Sequence, residues 1–535
     1  MARTRQLGSQ LRRIRRCRAE LPQVLTVAAR AVLLELITAE LEAWQRDPAS
    51  VRTAQAVLRL NLENLSLQRH GFLPDSQCPT CARRESDTRD GAQLTLRSRP
   101  KPRDALRLRD LNDEREPILE AYVDGHLGVI NRLSKHTGNL YANASASTLY
   151  PNNTKPDRGF GRGLDFQRSQ LSAIMEALER YGGMQSGAKR TTVRGSFAAH
   201  AHQALDPRRL GLHEDELYDQ LDFGYQRFTP EAQIDWVWGY SLRQHQPILV
   251  PEGAVYYGEP LALPGFAYEC SNGCALGGSL EEAILHGLLE VAERDAFLIA
   301  WHARLELPQI DLETLTDPKL RLQLERLRFQ TGFELRALDA TMENGIPTVL
   351  MVAVHREPRA DQPAFLCAAG SHVSFENAIA NALGELAPNA GFFAERFQKN
   401  LQRIEAMIEN PDLCAQLEDH QLLYAHPRMR SSLEFLLCDA PCLPLEEIIA
   451  RHEPIERFED LLEDLDGLVE RFLRDGHEVV VVDQSTSEHR ALELHCVKVL
   501  VTGHLPMTFG HLNRRLAGLP RLLEIPHRSV FVPVR

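Results

Sequence analysis

Two stretches decide the reading of this chain: SAIMEALERYGG at residues 172–183 and SLEEAILHGLLEVAERD at residues 279–295. Each contains Glu-x-x-Glu-Arg, as Glu176, Glu179 and Arg180 in the first and Glu290, Glu293 and Arg294 in the second. Apolar residues recur at three- and four-residue steps in both, which predicts helices. With Glu282 set at zero, 3.6 residues per turn places His286 at ~40°, Glu290 at ~80° and Glu293 at ~20°. The remainder of that helix is apolar nearly all the way round, the pattern of a buried helix. Carboxylates in one stripe of a buried helix need a cation or a paired arginine, because uncompensated buried charge is very costly. Ser172, Glu176 and Glu179 form a similar stripe on the first helix. If the two helices face each other, their acids and arginines line one cleft, the outline of a cation-and-phosphate site. Simpler readings exist for each part. A Glu-x-x-Glu-Arg face also serves as a solvated surface with i,i+4 pairing. Glu282 also fits a capping box with Ser279, and His286 fits a packed core histidine.

The whole chain sets bounds. At 535 residues it can bury a large core in two or more domains. Through Asp110 there are 21 Lys/Arg against 12 Asp/Glu, or +9, which leaves −21 for the remainder of a chain of net charge −12. An acidic body argues against nucleic-acid binding. Ten scattered cysteines do not make a secreted disulfide framework, so a reducing cytoplasm is expected. The apolar run from Val24 to Thr38 is broken by Arg30 and Glu35 and is too short to span a bilayer, so no membrane role is expected. The arginines from Arg3 to Arg18 read as a solvated basic arm, with no cleavage site after them.

In chain order, residues 1–82 read as a small, mainly helical region, with a helical hairpin from Leu21 to Arg69. It ends in the knuckle Cys78-Pro-Thr-Cys81, half of a tetrahedral zinc site. No second C-x-x-C occurs, and Cys17 and His70 complete the set only if the fold brings them close. Residues 83–116, rich in Arg, Asp, Ser and Pro, read as a linker. Residues 117–535 read as one large mixed α/β unit, with strands at Ile346–Val354, Glu478–Asp483 and Cys496–Val501. A weak internal repeat relates Ala283-Ile-x-x-x-Leu-x-Glu290 to Ala378-Ile-x-x-x-Leu-x-Glu385. The stretch from Phe393 to Pro454 reads as a largely helical insertion or lid. Ser271-Asn-Gly-Cys-Ala-Leu-Gly-Gly-Ser279 reads as a glycine-rich turn entering a helix, a physically sound place for a phosphate or simply a tight turn.

GRGLDFQRSQLSAIMEALERYGG from Gly161, followed by SNGCALGGSLEEAILHGLLEVAERD from Ser271, resembles the two signature stretches of the YcaO family. The resemblance runs from about residue 158 to the C-terminus. Supporting it are Ala369-Gly-Ser-His with the Glu385 helix behind it, and the late VLVTGHLPMTFGHLNRRLAGLPRLL. It implies a mixed α/β (α+β) YcaO-like catalytic domain and an enzyme that uses ATP and Mg2+ to activate peptide backbone amides. In azole-peptide biosynthesis such enzymes are cyclodehydratases. A Cys, Ser or Thr side chain of a ribosomal precursor peptide adds to the preceding carbonyl, the resulting oxygen is phosphorylated, and loss of phosphate leaves a thiazoline or oxazoline. By this resemblance Glu176, Glu179, Glu282, Glu290 and Glu293 match acidic positions at the Mg2+ site. Glu176, Glu179, Glu282 and Arg294 match nucleotide-contacting positions. The helical front ending in CPTC resembles the tail of a ThiF-like domain, which implies a separate ThiF-like partner that binds the leader peptide. A flavin dehydrogenase is a further expected partner, and a homodimer is compatible with the family. Three departures stand out. The chain ends Ser529-Val-Phe-Val-Pro-Val-Arg535, where many azoline-forming members carry Pro-x-Pro-x-Pro. Asn381 stands where an arginine is common, and Gly278 where several members have a polar side chain. They leave thioamide formation, or a non-catalytic docking role, as the alternatives.

Overall fold

The central element is the long helix of the second stretch, because sheets pack on both of its sides. The computed structural model describes residues 26–524, except 63, 77, 79–81, 83, 137–140, 149–156, 221–222, 259–261 and 475. The basic arm from Arg3 to Arg18, Cys17, Cys81 and the terminal Ser529–Arg535 therefore lie outside the described residues.

At the front, α1 (Val27–Arg46) starts where Thr26 Oγ1 accepts the Ala29 N–H at 3.1 Å. The expected second helix is instead an antiparallel hairpin of β1 (Ala56–Leu60) and β2 (Leu67–Gly71). Turn chemistry accounts for this. Asn64 Oδ1 accepts the Ser66 N–H at 3.0 Å, the Asn61 N–H donates to the Ser66 carbonyl at 2.9 Å, and Leu65 takes a left-handed φ of 58°. Cys78 of the knuckle is buried. His70 does not turn to it but pairs with Asp124 at 2.9 Å. The stretch from residue 90 to 116 lies along the body. Its Arg97 N–H and Arg99 bind Glu281, and Lys101 reaches the buried Asp464 at 2.7 Å.

Among the described residues the body is mixed α/β, built on three main sheets. A three-stranded antiparallel sheet comprises β3 (Ile130–His136), β4 (Ala142–Thr148) and β5 (Asp157–Gly163), and α2 (Phe166–Met184) lies across it. A six-stranded sheet contains β6 (Val193–Ser196), β7 (Gln233–Ser241), β8 (Gln246–Pro251), β9 (Cys274–Gly277) and, from the end of the chain, two strands numbered below. Then comes α3 (Leu280–His302), the buried helix expected from the sequence, with Ile284, Leu285, Leu288 and Ile299 fully covered. A five-stranded sheet follows: β10 (Gln309–Ile310), β11 (Glu334–Asp339), β12 (Thr348–Val354), β13 (Phe365–Ser371) and β14 (Cys442–Leu443). Between its last two strands run α4 (Phe375–Lys399), α5 (Leu401–Glu409) and α6 (Leu417–Tyr424), so the helical insertion expected after Phe393 is present. After α7 (Leu461–Arg474), strands β15 (Val479–Asp483) and β16 (His495–Val501) complete the six-stranded sheet in the order β8-β7-β15-β16-β9, with β6 on β7. Among the described residues no helix is long and apolar enough to cross a membrane.

One unit recurs three times: a strand, a two- or three-residue turn, and a helix laid back over that strand. The pairs are β5 and α2, β9 and α3, and β13 and α4. The close approach explains the small residues at the contacts. A Cβ on Gly161 would sit 1.7 Å from the Ser169 carbonyl oxygen, and one on Gly370 would sit 2.2 Å from the Ala382 nitrogen. The sequence repeat between Ala283 and Ala378 is the trace of two of these units.

Candidate active site

Each helix of the three units turns acidic residues toward one cleft. On α2, Glu176 Oε2 accepts the Phe160 N–H at 2.7 Å, and Oε1 accepts Arg180 Nη2 at 2.9 Å. On α3, Glu290 Oε2 accepts the Gly273 N–H at 2.6 Å, and Oε1 accepts Arg294 Nη2 at 2.5 Å. One turn on, Glu293 Oε2 accepts the Ser371 N–H, from the end of β13, at 2.9 Å. On α4, Glu385 is ion-paired with Arg162 of β5, and that guanidinium also feels Glu176. Glu179 closes the circle, since Glu290, Glu176, Arg180 and Arg294 all act on it. Five carboxylates and three arginines thus share one half-buried ring.

The electrostatics of the ring are unsatisfied. Burial, and then the charges of Glu290 and Glu176, push the Glu179 carboxyl well above the ordinary range, against Arg180 and Arg294. Burial also raises Glu290, although Arg294, the Gly273 N–H, Lys498 and Arg180 oppose it. Burial and Glu385 lift Glu293 to about 8, against the Ser371 N–H. A cleft in which three acids resist ionisation is one that a cation relieves. Carboxylate oxygens are the hard donors that Mg2+ takes, and arginines on the same rim suit phosphate oxygens. The residues present therefore fit a divalent cation bridged to a nucleotide polyphosphate.

Glu176, Glu179, Glu290, Glu293 and Arg294 converge as the sequence suggested. Glu282 does not join them. It sits two helical turns, about 12 Å, toward the N-terminus of α3. There its oxygens accept Arg107 Nη1 at 2.8 Å and the Leu108 N–H at 3.0 Å. Its backbone N–H donates to Ser279 Oγ at 3.2 Å, so the helix cap is real, but its side chain serves the 105–109 stretch instead of the cap. His286 is half-buried between these positions, with Nε2 unpartnered; desolvation, and then Arg107 and His372, hold its pKa well below the ordinary value. The Ser271–Ser279 stretch is not an open phosphate loop. Its centre is the buried strand β9, paired with β16.

The sequence reading left out four contributors. Arg162 and Glu385 complete the ring from elements far apart in sequence, and the internal repeat already pointed at Glu385. Lys498, fully buried on β16, donates to the Cys270 carbonyl at 2.9 Å and lies 3.4 Å from Glu269. Asn272 fixes the Arg294 guanidinium by accepting Nη1 at 2.9 Å. The same oxygen accepts the Met507 N–H, tying the C-terminal segment to the site.

Comparison with known proteins gives the chain a family. Residues 160–505 match the YcaO cyclodehydratase family, described as ATP- and Mg2+-binding, and the chain belongs to that family. An uncharacterised protein of Methanothermobacter thermautotrophicus is 29% identical over 252 residues, covering 46% of this chain; the chain spans 61% of that relative's length. Among solved structures, a heterocyclase in complex with substrate and cofactor has a TM-score of 0.71 at 24% identity, over 94% of this chain and 69% of that one. The YcaO protein from Methanopyrus kandleri, bound with AMPPCP and Mg2+, has a TM-score of 0.51 at 19% identity, over 76% of this chain and 95% of that one. At these identities the structural likeness establishes the shared fold.

Proposed function

We propose that the chain uses ATP and Mg2+ to activate peptide backbone amides, as a cyclodehydratase that converts Cys, Ser or Thr of a ribosomal precursor peptide to thiazoline or oxazoline. The observation that carries this reading is the ring of five carboxylates, three of them held above their ordinary pKa and waiting for positive charge. Glu176, Glu179, Glu290 and Glu293 would hold the metal, and Arg294, braced by Asn272, would hold phosphate oxygens. Glu282 and Arg107 would flank the nucleotide at the far end of α3. When bound, ATP supplies the phosphoryl group that makes an amide oxygen a leaving group. The ring contributes position and charge neutralisation, the chief needs of phosphoryl transfer. Family membership supports the nucleotide and metal, and the heterocyclase fold supports the ring-forming chemistry.

Calorimetry with AMPPCP tests the first half: binding should require Mg2+ and fail in Glu290→Gln. Co-expression with a candidate precursor, read by mass spectrometry, tests the second. Each azoline removes the mass of one water, whereas exchange of oxygen for sulfur in a thioamide adds their difference. A precursor left unmodified by the nucleotide-competent protein together with its leader-binding partner would overturn the cyclodehydratase assignment.

A further inference from the structure

Away from the carboxylate ring, the helical insertion and the C-terminal segment bring together three side chains of a different chemistry. Cys414 follows the turn at Pro411–Leu413, His420 lies on α6, and His511 opens the turn at His511–Asn513. One ligand atom from each, the Cys414 sulfur and one ring nitrogen of each histidine, lies within 4.8 Å of the other two. It is the one such cluster of metal-binding side chains among the described residues. Cys414 is 1% exposed and His511 8%, whereas His420 is half-buried and opens the cluster toward solvent.

One ring nitrogen of His511 is available for coordination. Its Nδ1 is buried with no hydrogen-bond partner. A buried lone pair without a partner is otherwise unfavourable. The backbone is preset as well, because the His511 N–H donates to the Cys414 carbonyl at 2.9 Å.

We infer that Cys414, His420 and His511 form a zinc site that staples the helical insertion to the segment bordering the nucleotide cleft. One thiolate and two imidazoles are a donor set that zinc takes and that Mg2+ does not. Tetrahedral bonds of about 2.0–2.3 Å place ligand atoms about 3.5 Å apart, so the cluster needs to close by about 1 Å. The structure shows what yields. His420 Nε2 accepts the Gly510 N–H at 2.9 Å, and a neutral imidazole has one lone pair. Coordination therefore exchanges that hydrogen bond for the metal and frees the Gly510 amide. Gly510 stands at a φ of 97°, three residues after Met507, which holds Asn272 and through it Arg294. Asp419 cannot serve as a fourth ligand without giving up Arg403 and the Ala415 and Gln416 N–H groups, so water takes that position. Burial holds the Cys414 thiol up at about 12, so zinc binding releases its proton.

The test uses the full chain with Cys78 and Cys81 both changed to Ser, so that the knuckle supplies no thiolate. Metal analysis after purification should find one zinc per chain, and Co2+ exchanged into the site should give a thiolate-to-cobalt charge-transfer band with tetrahedral d–d absorption. Cys414→Ser should remove the band, and His511→Gln should lower zinc content to background, with circular dichroism unchanged for both. Absence of the cobalt band in the otherwise wild-type chain overturns the inference whatever the variants do. So does full zinc content in Cys414→Ser or His511→Gln.

Discussion

Replacing Glu293 by Gln tests whether the ring is an unfilled cation site. Glutamine keeps the oxygen that accepts the Ser371 N–H but removes the titrating proton. Glu293 moves from an ordinary 4.5 to about 8 on folding, through burial and then Glu385. A carboxyl raised in this way binds more protons in the native than in the unfolded chain between those values. Its contribution is fully present below pH 4.5 and is lost as pH rises toward 8. At about 1.36 kcal/mol per pH unit the loss has a ceiling of about 5 kcal/mol. Because Glu293 is partly exposed and arginines lie nearby, screening reduces the expectation to about 2 kcal/mol. Without metal, Glu293→Gln should therefore melt with the wild type at pH 5 and about 2 °C above it at pH 8.5. With Mg2+ and AMPPCP the order should reverse, because only the carboxylate gains from the cation. Thermal melts in EDTA and in Mg2+–AMPPCP across this range read both effects. Equal melting at pH 8.5 without metal, or an unreversed order with it, would refute the claim that Glu293 waits for a cation.

Three other substitutions probe the frame around the ring. Glu290→Gln should lower ATP turnover at least ~100-fold with an unchanged circular dichroism spectrum, since it loses the carboxylate shared by Gly273 and Arg294; phosphate release measures it, and turnover near wild type would remove Glu290 from the metal site. Gly161→Ala should destabilise the protein by at least about 3 kcal/mol in urea melts, because its methyl would lie 1.7 Å from the Ser169 carbonyl oxygen. Lys498→Met should cost about 3–5 kcal/mol in the same melts, since it leaves the buried Glu269 with Arg515 as its remaining cation.

What the sequence made legible follows the range of each interaction. The burial of α3 was readable because an all-apolar circumference leaves no solvent face, and Glu290 and Arg294 are neighbours on it. Glu385 was harder to find, because its arginine is Arg162, on a strand more than two hundred residues earlier; only the repeat of Ala-Ile-x-x-x-Leu-x-Glu hinted at it. Glu282 shows the limit of a helical projection. It reports angle and ignores height, so a residue two turns away shares the stripe without joining the carboxylate ring. At the hairpin, two asparagines and a left-handed leucine outweigh helix-compatible residues, a turn signal that apolar spacing does not register.

The glycines of the Ser271–Ser279 stretch look like a phosphate loop for the same reason that the acids look like a cleft: one physical device, used three times. Laying a helix tightly over the strand that precedes it requires small residues at the crossing. A Cβ at Gly277 would lie 2.6 Å from the Ala283 nitrogen, the counterpart of the contacts at Gly161 and Gly370. That crossing fixes the direction of each helix, and three such helices meeting at one place bring their acids within reach of each other. Gly277 therefore serves the site by aiming a helix. Loss of one crossing should disturb metal binding even where every carboxylate remains, an effect that the melts and the Mg2+ dependence of Gly161→Ala would show together.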